Sequence, residues 1–279
     1  MKACFNELTA RKNGSLPADI TLCGKAGFDA IELSKGNVIR YLRSGGSAEQ
    51  LRDMLQEHHV QPASLNAVEN ITFQNKASQR MLRELTDWSC AASRAIGCDC
   101  MEVIASFGIS DRSEAEIRKE TICSLLSLSD IAARYDVKLA LEFMAIPDSS
   151  VRSFDQCLDI IEAVDRSNVG MLLDTWHFFA CGAEVDEVFQ LPPSRLFMLH
   201  VSDCPARAPY ETPRAESYWP GDGDAPLASI LSNLQKVGYR GVCSIEAMSP
   251  AIHALPLEEG IHMAKEKLET LMASAGVQE

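Results

Sequence analysis

The chain has 279 residues, 46% of them hydrophobic and 23% charged, with a formal net charge of −13. That length and balance suit a soluble globular protein with a full core, and the acidic surplus repels phosphate backbones, so nucleic acid is not expected as a partner. No run approaches the ~20 apolar residues that cross a bilayer, and the opening "MKACFNELTARKNG" lacks the apolar stretch of a signal peptide, so a cytoplasmic protein without membrane association is expected.

Short apolar segments alternate with longer amphipathic ones along the whole chain. "ACFNE" (3–7) comes first, and "KAGFDAIEL" leads into "AIELS" (30–34). The amphipathic "AEQLRDMLQEHHV" (48–60) precedes "PASLNA" (62–67), and the turn "AIGCDCMEVI" opens "CMEVIAS" (100–106). Residues 113–136 carry Ile117, Ile122, Leu125, Leu126, Leu128, Ile131 and Ala132 mostly on one stripe, which predicts a helix. Ser113 followed by Glu116 has the form of a capping box at its start.

"KLALEF" (138–143) follows, then a second helical segment over 153–165, "VGMLLDT" (169–175) and "LFMLHVSD" (196–203). "PLASILSNLQKVGYRG" (226–241) reads as a helix stopped by Gly238, and "GVCSIEAM" (241–248) is the last apolar segment. Each apolar segment is too short for a typical helix and is bounded by polar or turn residues. The ten cysteines lie mostly inside these runs with no Cys-x-x-Cys pair, so they read as small buried hydrophobes in a reducing compartment.

Eight strands alternating with helices predict an α/β fold with a parallel sheet. Eight repeats in a chain of this length fit a single (β/α)8 TIM barrel occupying residues 1–279 as one domain. A doubly wound open sheet is the other arrangement with this alternation, but the turn after the first strand, "NELTARKNG", is not G-x-G-x-x-G and no Walker loop is present.

In a closed barrel, function gathers at the C-terminal ends of the strands. There the fifth segment presents Glu142, the sixth Asp174 with His177, the seventh His200 with Asp203, and the eighth Glu246. Several buried carboxylates at one mouth repel one another and are costly to desolvate, and a divalent cation relieves both penalties. Glu142, Asp174, His200 and Glu246 are therefore the expected ligands of one divalent ion. Three carboxylates and one imidazole suit Mn2+, Mg2+, Co2+ or Zn2+.

"LALEF", "LLDTWH", "LHVSD", "WPGDGDAPL" and "GVCSIE", in this order, resemble the xylose isomerase-like barrel superfamily of sugar isomerases and epimerases. "MKACFNELTA", "EHHVQPASLNA" and "NVGMLLDTWHFFACG" are similar, more narrowly, to the inosose isomerase (2-keto-myo-inositol isomerase) branch of inositol catabolism. The resemblance implies the same four metal ligands. It also implies a substrate-contacting His177, and an arginine past the strand-seven histidine for which Arg207 is the match. Many relatives carry a further arginine just before the Pro-Gly; here Tyr218 and Trp219 stand there, and the nearest upstream arginine is Arg214.

The implied reaction moves a proton between adjacent carbons of a keto-polyol through an enediol, with Glu142 and Glu246 as the acid–base pair. Trp176, Phe178 and Phe179 could wall the mouth, while Asn66, Glu32 and Asn6 could meet substrate hydroxyls. Asp203 is expected to orient His200. His58, His59, His253 and His262 read as structural. A ketose 3-epimerase, an inosose dehydratase, an apurinic endonuclease-like phosphodiesterase and a non-catalytic sugar-binding barrel are the alternatives on the same scaffold. The number of subunits is left open.

Overall fold

The computed structural model describes residues 1–10, 14–109 and 111–277. Eight parallel strands close into a barrel in sequential order: β1 (Lys2–Asn6), β2 (Ala30–Ser34), β3 (Gln61–Val68), β4 (Cys100–Ile104), β5 (Lys138–Glu142), β6 (Val169–Asp174), β7 (Leu196–Val201) and β8 (Val242–Ile245). β1 pairs with β8 through Lys2–Val242 to Phe5–Ile245, which completes the ring. The α/β class and (β/α)8 architecture expected from the alternation are the ones found, and the open sheet is excluded.

The helices are α1 (Leu16–Ala26), α2 (Lys35–Arg43), α3 (Ala48–Glu57), α4 (Lys76–Ile96), α5 (Glu114–Ala133), α6 (Phe154–Val164), α7 (Thr175–Ala180), α8 (Leu227–Val237), α9 (Pro250–His253) and α10 (Leu257–Ser274). Local chemistry sets their ends. Ser113 and Glu116 form the anticipated capping box at the start of α5. α4 and α8 stop at Gly97 and Gly238, whose φ of 95° and 103° require a residue without a Cβ to reach the next strand in a short turn.

Alternation along each strand separates two apolar regions. Leu139 and Leu141 on β5 join the main core with Leu128 and Ile131 of α5 and Ile160 of α6, between sheet and helices. Ala140, on the opposite face of the same strand, packs with Cys100, Leu172 and Met198 inside the barrel. That interior plug leaves the other end of the cylinder for polar residues. Of the cysteines, Cys123 is exposed and Cys181 half-buried, and the other eight are buried free thiols. No described helix is long and apolar enough to cross a membrane.

Candidate active site

Four strand ends bring Glu142, Asp174, His200 and Glu246 together. Glu142 and Asp174 are the last residues of β5 and β6, Glu246 follows β8 by one residue, and Asp174 is the register partner of His200. One ligand atom from each of the four lies within 4.8 Å of the others. All four are buried.

The stretch "MLLDTWH" shows how the local fold achieves this. Asp174 is the N-cap of α7: one carboxylate oxygen accepts the Trp176 N–H at 2.6 Å, and the other points into the cluster with no hydrogen-bond partner among the described residues. The turn into α7 places His177 beside it, fully buried. Its Nδ1 accepts the Ala145 N–H at 2.9 Å, which puts the ring proton on Nε2. Burial, with Arg214 and His200 nearby, holds His177 well below its usual pKa, so it is a neutral imidazole whose Nε2–H has no partner among the described residues.

His200 is oriented from below. Its Nε2 lies 2.8 Å from Glu32, which also accepts hydrogen bonds from Ser64 and Ser244. Nδ1 is thereby turned to the cluster, 3.4 Å from Glu246 and 3.8 Å from Glu142, without hydrogen-bond geometry to either. Glu32, expected to meet substrate hydroxyls, is instead the residue that fixes His200. Asp203, expected in that role, accepts the backbone N–H groups of Cys204, Gly221 and Ala225 and so shapes the loop after β7. Asn6 donates to Glu246 at 3.1 Å.

Electrostatics divide the two glutamates. Burial and the nearby Glu246 charge push Glu142 up to about 8. Burial would also raise Glu246, but His200 and Arg214 outweigh it and hold that carboxyl below its usual range. Burial raises Asp174 to about 6 against the opposing pull of Arg214.

Above the cluster opens a cavity of about 570 Å3, within the range of small-molecule sites. Glu142, Glu246, Asn66 and Arg214 are in its wall. Arg214 lies 3.5 Å from Glu246 and 3.9 Å from Asp174, with its guanidinium 5.2 Å from the Trp176 ring centroid. Trp176 is fully buried and donates its Nε1–H to the Glu216 carbonyl, so it supports Arg214 rather than lining the cavity. Arg207 is elsewhere: it makes a bidentate pair with Glu216 at the surface and is not in the cavity wall. His58 bonds to Thr21 and His253 to the Leu8 carbonyl, although His253 also reaches the cavity rim.

A model of the xylose isomerase-like TIM barrel family matches residues 20–271. The chain belongs to that family.

An inosose isomerase of Bacillus velezensis is 33% identical over 277 residues, covering 98% of each chain. The inosose isomerase of Bacillus subtilis is 32% identical over 95% of each chain. A crystal structure of the IolI protein with a bound zinc atom superposes on this family member with a TM-score of 0.93 at 30% identity, covering 98% of each chain.

The donor set fits a divalent ion on its own geometry. Glu142 Oε1, Asp174 Oδ2 and His200 Nδ1 are buried, face one another and lack hydrogen-bond partners among the described residues. Buried polar atoms are otherwise paired in folded proteins, so three such atoms converging on one point call for a cation. Glu32, Glu102 and His200 form a neighbouring group of the same kind, but His200 Nε2 and Glu32 already satisfy each other there.

Proposed function

We propose that the protein is a divalent-metal-dependent isomerase of a cyclic keto-polyol, 2-keto-myo-inositol (inosose), acting in inositol catabolism. The convergence of the unpaired Glu142, Asp174 and His200 atoms with Glu246 at the base of the cavity carries this reading. Full-length similarity to inosose isomerases supports the substrate class.

Glu142, Asp174, His200 and Glu246 would hold the ion. When bound, it supplies Lewis-acid stabilisation of the negative oxygen that develops as an α-proton leaves a ketone. Glu142 and Glu246 come from β5 and β8 and flank the space where that carbon would lie. One carboxylate takes the α-proton and the other returns a proton to the adjacent carbon, while the hydroxyl proton passes to the former carbonyl oxygen, a contribution of roughly 10²–10⁴-fold for a well-placed pair. Their divergent environments suit the two roles, since a site that pushes two carboxyl groups apart in pKa separates acid from base.

His177 offers an Nε2–H with no other partner among the described residues, and burial favours its neutral form, which suits it to hold a substrate oxygen. Arg214, rather than Arg207, supplies a cationic donor at the wall, because its Nη1 has no hydrogen bond among the described residues and it borders the ligands directly. The low exposure of Trp176 and Phe178 keeps water from the buried side of the cluster.

The reading is tested by incubating metal-loaded protein with a panel of inososes and free ketoses in deuterated water and following proton NMR. Deuterium at the carbon beside the inosose carbonyl, with appearance of an isomeric ketone, is the expected result. Loss of water instead would make the protein a dehydratase, and no exchange on any ketone would remove the isomerase.

A further inference from the structure

One wall of the cavity holds polar groups that the proton transfer does not use. Arg214 and Glu246 belong to the β7–β8 side, and β2, β3 and β4 lie across the barrel from them. Lys35 and Asn66 stand on that far side, and Glu102, on β4 beside β5, lies between them and the ligand cluster, with a carboxylate oxygen within 4.8 Å of a His200 ring nitrogen. In register, Ile104 sits beside Glu142, whereas Glu102 sits beside Ala140, one step deeper, so its side chain rises from the floor.

Glu102 is 2% exposed and borders the cavity, yet its Oε2 has no hydrogen-bond partner among the described residues. A buried carboxyl oxygen without a partner is costly, which marks a place where something else binds. Lys35, the first residue of α2, donates one hydrogen bond to the Ala67 carbonyl and has Glu69 and Glu102 near its ammonium. An ammonium has three donors, so two remain to be used among the described residues. The Asn66 side chain, on β3, makes no hydrogen bond among the described residues and offers both a donor and an acceptor.

We propose that Glu102, Lys35 and Asn66 form a second recognition patch that hydrogen-bonds the hydroxyls a cyclic polyol presents toward β2–β4, next to the reacting carbons at Glu102 and beyond them at Lys35 and Asn66, with Glu102 as its specificity-determining residue. A six-membered polyol carries hydroxyls around its whole rim. Holding the ketone edge at Glu142 and Glu246 directs the rest of the rim toward β2–β4. An acceptor at the floor, a cation on the wall and an amide between them match a row of hydroxyls and offer nothing to a shorter or less hydroxylated ketone. This inference rests on the keto-polyol reading and goes further by naming the residues that select the ring.

The test is a cycle between side chain and hydroxyl, using Glu102→Leu and Lys35→Met against inosose and a deoxy-inosose series lacking one of these hydroxyls at a time. With inosose, each variant raises KM about tenfold or more while kcat changes by less than about threefold, the pattern of lost binding rather than lost chemistry. With the deoxy analogue that lacks the partner hydroxyl, wild type and variant agree within about twofold, because the contact is already gone.

Equal losses on inosose and every deoxy analogue, or a loss confined to kcat, would overturn the patch and make Glu102 a support for Glu32 and His200. Wild-type exchange separates the two claims. If inosose does not exchange, the isomerase falls, and the patch is read by calorimetric binding of myo-inositol, which has no carbonyl. Binding that weakens about tenfold in either variant sustains the patch, while unchanged or absent binding ends it.

Discussion

His200 Nε2 lies 2.8 Å from a carboxylate oxygen of Glu32, with both side chains fully buried. That contact decides which imidazole nitrogen faces Glu142, Asp174 and Glu246. Glu32→Ala removes it and leaves Ser64 and Ser244 without their acceptor. Divalent-ion affinity should fall about 10–100-fold, as for other partners of ligating histidines. Glu32→Gln keeps an acceptor oxygen and should lose less. Competition with a chromogenic chelator measures both, and equal affinities in wild type and Glu32→Ala would show that His200 holds its place without this carboxylate.

Ion binding should depend on pH in a stated direction. Glu142 is raised from 4.5 to about 8 and Asp174 from 3.8 to about 6. His200 is also raised, since Glu32 and Glu246 outweigh the opposing effect of burial. A cation must displace these protons, so affinity should climb as pH rises through 8. Without an ion, the folded chain holds more protons at Glu142 and Asp174 than the unfolded chain between about pH 4 and 8. Their contribution to stability is therefore fully present below about pH 4 and is lost as pH rises through 8, on the order of a few kcal/mol for so buried a site. Glu246, held low, works in the opposite sense below pH 4.5. Thermal unfolding at pH 6, 7 and 8 with zinc or with chelator checks this. The zinc-induced rise in Tm should be greatest at pH 8, and a rise independent of pH would contradict it.

The two arginines should separate cleanly. Arg214→Met removes a donor beside Asp174 and Glu246, and kcat/KM for inosose should drop about 10–100-fold, as for a lost hydrogen bond to a charged group. Arg207→Met breaks a surface pair with Glu216 and should change kcat/KM by less than about threefold, with little effect on stability because exposed ion pairs are screened by solvent. Steady-state kinetics on the two variants decide the matter; the reverse ranking would place the wrong arginine at the substrate.

How far the sequence foretold this arrangement can be seen in individual residues. The eight strands were legible because each is a short apolar run bounded by turn residues, and Asp174 stood out because a carboxylate ended the run "MLLD". Arg207 and Arg214 could not be ranked from spacing, since both lie in the long segment between β7 and α8, whose path periodicity does not determine. Glu32 holds the role expected of Asp203 for a related reason: sequence proximity favoured Asp203, but barrel closure carries Glu32 from β2 across to β7. Glu102 was hidden inside "CMEVI". A parallel strand buried on both faces shows no polar-out pattern, so one glutamate there does not announce which face it takes.

Glu142→Gln and Glu246→Gln test the acid–base pair. Each should slow deuterium exchange into inosose by about 10²–10⁴-fold, measured after confirming that the ion is still bound. Exchange at the wild-type rate in both metal-loaded variants would assign the proton transfer to other groups.

Side chains from β5, β6, β7 and the end of β8 should surround one cation, and anomalous scattering from crystals grown with zinc would locate it. A single strong peak is expected about 2.0–2.2 Å from Glu142, Asp174, His200 and Glu246. A peak lying instead between Glu32 and Glu102, or no peak inside the barrel at saturating zinc, would contradict it.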